Sequence, residues 1–296
     1  MKKKKSELAV RQARKGYGFI GLWLFGIIFL FGIPIIQSMI YSFSDVGIEV
    51  GYVDVQFVGL ENYKKLLFKN TEYIPAFFPT IGNVLIETPM IIFFSLFMAI
   101  MLNQKFKGRI FFRAVFFLPV IIAGGVVMNI ITNDSYSTSI VSGARSSMMF
   151  QSVGVEQLLG NLNLNSTITE LIIEYVNGIF NLAWRSGIQM LIFLAALQSV
   201  PPQLYEVCKV EGANSWETFW KVTFPMISSM VLVNVTYTLV DLFGDYSNEI
   251  LQMITSASEK SQVGNASAMA WLYFMVSFII IIVTYFLINR KVCWMD

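Results

Sequence analysis

The chain has 296 residues, 55% of them hydrophobic and 14% charged, with a mean hydropathy of +0.63 and a net charge of +2. A soluble domain of this length carries nearer a quarter charged residues, so the apolar excess has to be met by lipid. With no histidine and two cysteines far apart in sequence, Cys208 and Cys293, imidazole proton relays, Ser-His-Asp triads and Cys/His metal sites are excluded, and the thiols read as free.

Residues 1–18 form a basic head carrying Lys2–Lys5, Arg11, Arg14 and Lys15. The apolar run after it, 19–43, is too long for a signal-peptide core and no small-residue cleavage site follows, so it reads as an uncleaved anchor. Further apolar stretches run over 78–102, 114–132, 180–200, 226–246 and 268–289, each close to the roughly 20 residues that cross a bilayer core about 30 Å thick. Lipid leaves no partner for unpaired backbone groups, so the spans are helices. The expected fold is an all-α polytopic bundle of about six transmembrane helices, with residues 19–296 as one transmembrane domain whose core is about 78–289.

The cations stand in alternate loops. The head, the loop with Lys105, Lys107, Arg109 and Arg113, the loop with Lys209 and Lys221, and the tail with Arg290 and Lys291 share one side if there are six spans. The opposite loops hold Lys64, Lys65, Lys69, Arg145 and Lys260 with more acidic than basic residues. The positive-inside rule then places both termini in the cytoplasm. The segment 133–177 is Ser-rich at first, then weakly amphipathic, and is longer than an ordinary connection; it is expected outside the membrane.

Between the fourth and fifth spans the loop Pro201–Pro225 reads as helix, glycine break, helix. Pro201 and Pro202 start the first piece, on which Leu204, Val207, Cys208 and Glu211 share a face. Gly212 supplies a turn or C-cap, Asn214 with Glu217 makes an N-cap pair, and Pro225 marks entry to the fifth span. Glu206, Gly212, Val222, Phe224 and Pro225 stand at the spacings of E-A-A, three residues, G, nine residues, I-x-L-P. This resembles the cytoplasmic signature of ABC importer permeases, with Val207 and Cys208 in place of the alanines and Val222 and Phe224 in place of Ile and Leu. Three further phrases resemble the sugar-uptake branch of that family: Phe57–Tyr63 after the first span, Leu102–Lys105 with Gly108-Arg109, Phe112-Arg113 and Leu118-Pro119, and Trp184 with Leu194–Pro201.

The resemblance implies a type I permease fold, a bacterial cytoplasmic-membrane location, and a membrane subunit that passes a sugar or oligosaccharide by alternating access. It implies a second homologous permease, two cytoplasmic ATPases and an extracellular sugar-binding protein as partners, with no nucleic acid. A coupling helix between spans four and five is then the ATPase-docking element, carried by Glu206, Glu211, Gly212, Ala213 and Asn214, with Glu206 supporting the loop through a charge-assisted hydrogen bond. The chain lacks a G-x-x-x-x-G-K-[ST] loop, so it is not itself the ATPase: it is expected to be no enzyme and to hold no cofactor, ATP and Mg belonging to its partners. The long segment 133–177 becomes a receptor contact or a roof over the cavity. Two other readings stay open: an ABC permease for an amino acid, phosphate or polyamine, and a proton- or sodium-driven secondary transporter.

Polar residues inside spans are the candidates for a substrate path. Asn234, Thr238, Asp241 and Asp245 recur at +4, +3 and +4 in the fifth span with Tyr237 beside them, a set of amides, carboxylates and an aromatic face that suits sugar hydroxyls. The alternative is that the stripe hydrogen-bonds neighbouring helices, with Asp245 at the water boundary. Glu87, beside the helix-bending Pro89, reads as a structural partner of Arg185 or as a substrate contact, and Arg185 could instead snorkel to the interface.

Overall fold

The computed structural model describes residues 20–21, 23–49, 52–104, 106–123, 178–179, 181–245 and 247–292. The basic head, the segment 133–177, Lys105 and Cys293 lie outside the described residues. The helices are α1 (Trp23–Ser42), a short α2 (Glu61–Lys64) that continues as a wider turn over Lys65–Lys69, α3 (Tyr73–Asn103), α4 (Arg109–Ala123), α5 (Gly187–Ser199), α6 (Pro202–Val210), α7 (Ser215–Phe243), α8 (Glu249–Glu259) and α9 (Val263–Asn289). Four of them, α1, α3, α7 and α9, are long and apolar enough to cross a membrane, and α5 with α6, bent by 64° at Val200-Pro201, makes a fifth candidate. The predicted span 180–200 holds α5 and the helical residues 181–185. Helical bonds from Ser186 N to Leu182 O (3.0 Å) and from Met190 N to Ser186 O (2.9 Å) carry it across the turn at Ser186. Of the predicted span 114–132, residues up to Ala123 lie in α4 and the rest fall outside the described residues.

Proline leaves the same mark on α1 and α7. A π-helical turn covers Ile28–Gly32 just before Pro34, and another covers Phe219–Thr223 just before Pro225. Proline has no N–H to return to the carbonyl four residues back, so the preceding turn widens and its carbonyls find later donors. Pro79 and Pro89 lie inside α3, which passes both without interruption. Beside Pro89, the Thr88 hydroxyl donates to the Val84 carbonyl at 2.7 Å.

One element departs from the all-helical expectation. Ser44–Glu49 (β1) and Tyr52–Phe57 (β2) form an antiparallel hairpin in the register Ser44↔Phe57 to Glu49↔Tyr52. Apolar residues alternate along both segments, but over six residues each, too short a run to stand out beside spans of twenty or more.

Two compact units divide the chain. The first is Met1–Pro75 with Met253–Met275. Its buried residues include Val46, Leu66, Tyr73, Ala268 and Tyr273, and the Tyr73 hydroxyl donates to the Met269 carbonyl at 3.1 Å. A Cβ on Gly264 would collide with the Ser44 carbonyl oxygen and crowd Asn62 Nδ2, so only glycine admits that approach. The second unit is Ala76–Gln252 with Val276–Asp296. There α5 packs on α7 and on α4, burying Met190, Phe193, Leu194 and Leu197 of α5 and Leu232, Val235, Leu239 and Leu242 of α7.

Candidate functional site

The connection from α6 to α7 is set by backbone chemistry. Gly212 has φ +74°, and the two bonds that close the end of α6, Gly212 N to Lys209 O (3.2 Å) and Ala213 N to Cys208 O (2.9 Å), make a Schellman motif. Two residues later the next helix is capped. Asn214 Oδ1 accepts from Glu217 N at 2.8 Å, and Glu217 Oε2 accepts from Asn214 N at 3.2 Å, a reciprocal capping box. Lys221 lies 3.5 Å from Glu217 one turn on. A bond of 3.3 Å from the Thr223 hydroxyl to the Tyr205 hydroxyl ties the two helical pieces together. Beside this connection lies a cavity of about 350 Å³ whose lining includes Asn103, Gln104, Tyr205, Lys209 and Thr218.

The exposed surface of this turn sets large apolar side chains among the polar Gln203, Lys209, Glu211, Asn214 and Ser215. Val210 is 89% exposed, Trp216 70% and Val207 54%. Glu206 stands beside them, exposed, with no hydrogen bond or ion pair among the described residues. The expected bond from Glu206 to its own loop is therefore absent. The turn is already closed by Gly212 and the Asn214–Glu217 box, so the carboxylate is left over. Glu211 is the C-cap of α6, and Ala213 supplies the second Schellman donor.

The second cluster joins three segments of the same unit. Arg185 donates from Nη1 to Glu87 Oε2 of α3 at 2.8 Å, and from Nη2 to Asp245 Oδ2 and to Ser247 Oγ (3.2 Å) beyond the end of α7. Ser247 returns its N–H and hydroxyl to Asp245 Oδ1, both at 2.9 Å. One cation faces two carboxylates, all part-exposed, beside a cavity of about 230 Å³ lined also by Thr80, Asn83, Asn248 and Glu249. Deeper along α7 the polar stripe closes on α5. Asn234 Nδ2 donates to the Gln189 carbonyl (2.9 Å), Gln189 Nε2 to Thr238 Oγ1 (3.3 Å), and the Thr238 hydroxyl to the Asn234 carbonyl (2.8 Å). The amide oxygens of Gln189 and Asn234 are buried without a hydrogen-bond partner among the described residues.

Residues 77–290 match the family described as the binding-protein-dependent transport system inner membrane component. The chain belongs to that family. It is 28% identical over 291 residues to the probable ABC transporter permease protein YesP of Bacillus subtilis (strain 168), covering 92% of this chain and 90% of YesP. It is 28% identical over 283 residues to the multiple sugar-binding transport system permease protein MsmF of Streptococcus mutans serotype c (strain ATCC 700610 / UA159), covering 88% and 90%. Its fold is that of a chain in the crystal structure of the bacterial alginate ABC transporter in complex with alginate pentasaccharide-bound periplasmic protein. The TM-score is 0.67 at 17% identity, over 95% of this chain and 96% of that one. The protein is thus a multi-pass membrane component of a transport system, built as a helical bundle.

In this permease the predicted residues fall into three environments. Glu206, Glu211, Gly212, Ala213 and Asn214 come together on one rigid turn. Glu87, Arg185 and Asp245 meet in one cluster, so the Glu87–Arg185 pairing is present and Arg185 does not snorkel alone. The stripe Asn234, Thr238, Asp241, Asp245 divides: Asn234 and Thr238 are buried against α5, Tyr237 is half-buried and Asp241 exposed. Sequence reasoning missed Gln189, Ser247 and the Tyr205–Thr223 tie. Gln189 had a signal, as the one amide in the apolar run 187–197; Ser247 had none, since its role depends on a cation 62 positions away.

Proposed function

We propose that this chain is a permease subunit of an ATP-driven ABC importer in the bacterial cytoplasmic membrane, passing a sugar or oligosaccharide by alternating access. The observation that carries the reading is the α6–α7 turn. It is a helix pair locked by a Schellman motif and a capping box, presenting Val207, Val210 and Trp216 to solvent beside an unpaired Glu206. Exposed apolar side chains on a preset backbone suit the cleft of another protein, here a cytoplasmic ATPase. ATP-driven closure of two ATPases would move the docked turns of this permease and a homologous second one, and that movement would shift the bundle between two states. The membrane-component family and the sugar-related name of MsmF support the solute class. The receptor in the alginate transporter complex supports an extracellular sugar-binding partner.

In the topology we propose, six spans are completed by the stretch 114–132 and both termini are cytoplasmic. Ser139→Cys and Gln252→Cys then react with a membrane-impermeant maleimide from outside, while native Cys293 does not; outside labelling of Cys293 refutes it. The substrate path runs past Glu87, Arg185 and Asp245 and the exposed Asp241, with Tyr237, Thr238 and Asn234 behind them. The function is tested by reconstituting the complex with its receptor and measuring ATP-dependent uptake across a glycan panel. Uptake of at least one glycan that requires this chain is expected. ATP-independent uptake driven by a proton or sodium gradient would overturn the reading.

A further inference from the structure

We propose that α2 and the wider turn that continues it, Glu61–Lys69, form an interfacial anchor that lies in the lipid headgroup layer, its apolar residues reaching the acyl boundary and its free lysines meeting anionic headgroups. Two fixings, both within the first unit, hold it at that depth. The Asn62 side-chain amide is buried and donates to the main-chain oxygens of Ser42 (3.2 Å) and Ser44 (2.9 Å), and the Tyr63 hydroxyl donates to Ser42 Oγ (2.9 Å). Ser42 is the last residue of α1, so the inner side of α2 is bolted to the point where the first crossing ends. At the other end, only Asn70–Glu72 separates Lys69 from Tyr73, the buried first residue of α3. Asn70 Oδ1 accepts from the N–H groups of Glu72 (2.9 Å) and Tyr73 (3.0 Å), so this connection is a cap, with no slack. Three residues reach about 10 Å at full extension, while the headgroup layer is roughly 5–7 Å deep on each side. A helix held at two membrane-crossing points cannot stand far off the bilayer.

Its side chains match that place. Asn62 and Leu66 face inward and are buried. Leu60 (59% exposed), Lys64 and Phe68 (85% exposed) recur every four residues on the outer side, with Leu67 and Phe57 beside them. Leucine and phenylalanine interleaved with lysine, whose apolar stem ends in a charge, is the composition of segments that lie in the interface. Glu61 takes Lys65 at 3.0 Å, which leaves Lys64 and Lys69 without an ion pair among the described residues. Both stand on the side whose loops are otherwise acid-rich, where topology gives no reason for them and a phosphate does. The hairpin before α2 exposes Asp54 and Gln56, a more polar surface.

The test uses the assembled complex in a background of Cys208→Ser and Cys293→Ser, with a nitroxide on Phe68→Cys and, as a control, on Gln56→Cys. In vesicles of phosphatidylglycerol the label at 68 should collide with oxygen more than with a water-soluble nickel chelate, and the label at 56 the reverse. Adding Lys64→Gln and Lys69→Gln should move the label at 68 toward water in phosphatidylglycerol and leave it unchanged in phosphatidylcholine. Equal nickel access at 68 and 56 overturns the anchor. So does loss of nickel access at 68 only when the receptor is added, which would make the patch a protein-docking surface. The lipid contact rests on the membrane reading; the choice of leaflet, and with it the argument from Lys64 and Lys69, rests on the proposed topology. Maleimide labelling of Cys293 reports the leaflet separately, so the two can fail independently.

Discussion

The α6–α7 turn and the Arg185 cluster use polar residues in opposite ways. In the turn, Asn214 and Glu217 are spent on backbone donors, and Gly212 on a left-handed conformation. The segment closes on itself without outside help, which leaves Glu206 and three large apolar side chains facing solvent. In the cluster, side chains from three distant segments satisfy one another: Arg185 takes Glu87, Asp245 and Ser247, and Ser247 takes Asp245. The first region is complete as structure and incomplete as chemistry, so a partner can be added to it without breaking anything. The second must surrender an existing bond before it can bind. A part-exposed ion pair is worth only about 0–1 kcal/mol, so that surrender is inexpensive.

If the turn is a preset docking surface, its backbone is the most sensitive point. A side chain at φ +74° costs about 1–2 kcal/mol, and a Cβ at Gly212 would meet nothing within 4 Å, so the strain lies in the backbone alone. Gly212→Val should abolish receptor-stimulated ATP hydrolysis with the bundle still folded, whereas Gly212→Asn, which tolerates the left-handed region, should keep most of it. Equal loss in both would move the defect from conformation to the approach of the partner.

Glu206 sharpens the same point from the side chain. Because it has no partner among the described residues, Glu206→Ala should leave the permease's thermal midpoint unchanged while weakening co-purification with the proposed ATPase partner. Glu206→Lys, of the wrong sign, should weaken it further. Equal effects of the two variants, or a lower midpoint in either, would show that the carboxylate serves the fold.

For the cluster, Arg185→Ala strands two carboxylates side by side, and both thermal midpoint and uptake should fall. Adding Glu87→Gln should recover part of the loss. A double-mutant cycle between Arg185 and Glu87 should give a coupling of about 1 kcal/mol, and zero coupling would remove the pair from the account. The smallest effect is expected at Asn214→Ala, which deletes the cap and should cost about 1 kcal/mol. Amide exchange at Glu217 reads it directly: unchanged protection there would mean that the box does not hold the second helix.

The turn was legible from sequence because its signals are local. A Schellman glycine, a capping box over three positions and prolines at a helix start and a span entry each act within one turn of helix. The apolar runs were legible for a similar reason, since lipid imposes one length and one composition on every crossing. The hairpin was lost because strands of six residues show too few alternations to count. Along α7 the spacing of Asn234, Thr238 and Asp241 marks a single helix face, and that much follows from 3.6 residues per turn. What divides the face, with Asn234 and Thr238 sealed against Gln189 and Asp241 left open, is the position of α5, whose contribution comes from 45 and 49 residues away. Sequence by itself determined the membrane class, the family and the shape of the α6–α7 turn, because each depends on neighbours in the chain or on the solvent. The pairing of Glu87 with Arg185 was one of the readings the sequence left open; tertiary structure alone decided that Arg185 also gathers Asp245 and Ser247, and that Asn62 fastens α2 to the end of α1. Such bonds join residues whose separation in sequence carries no information about their distance in space.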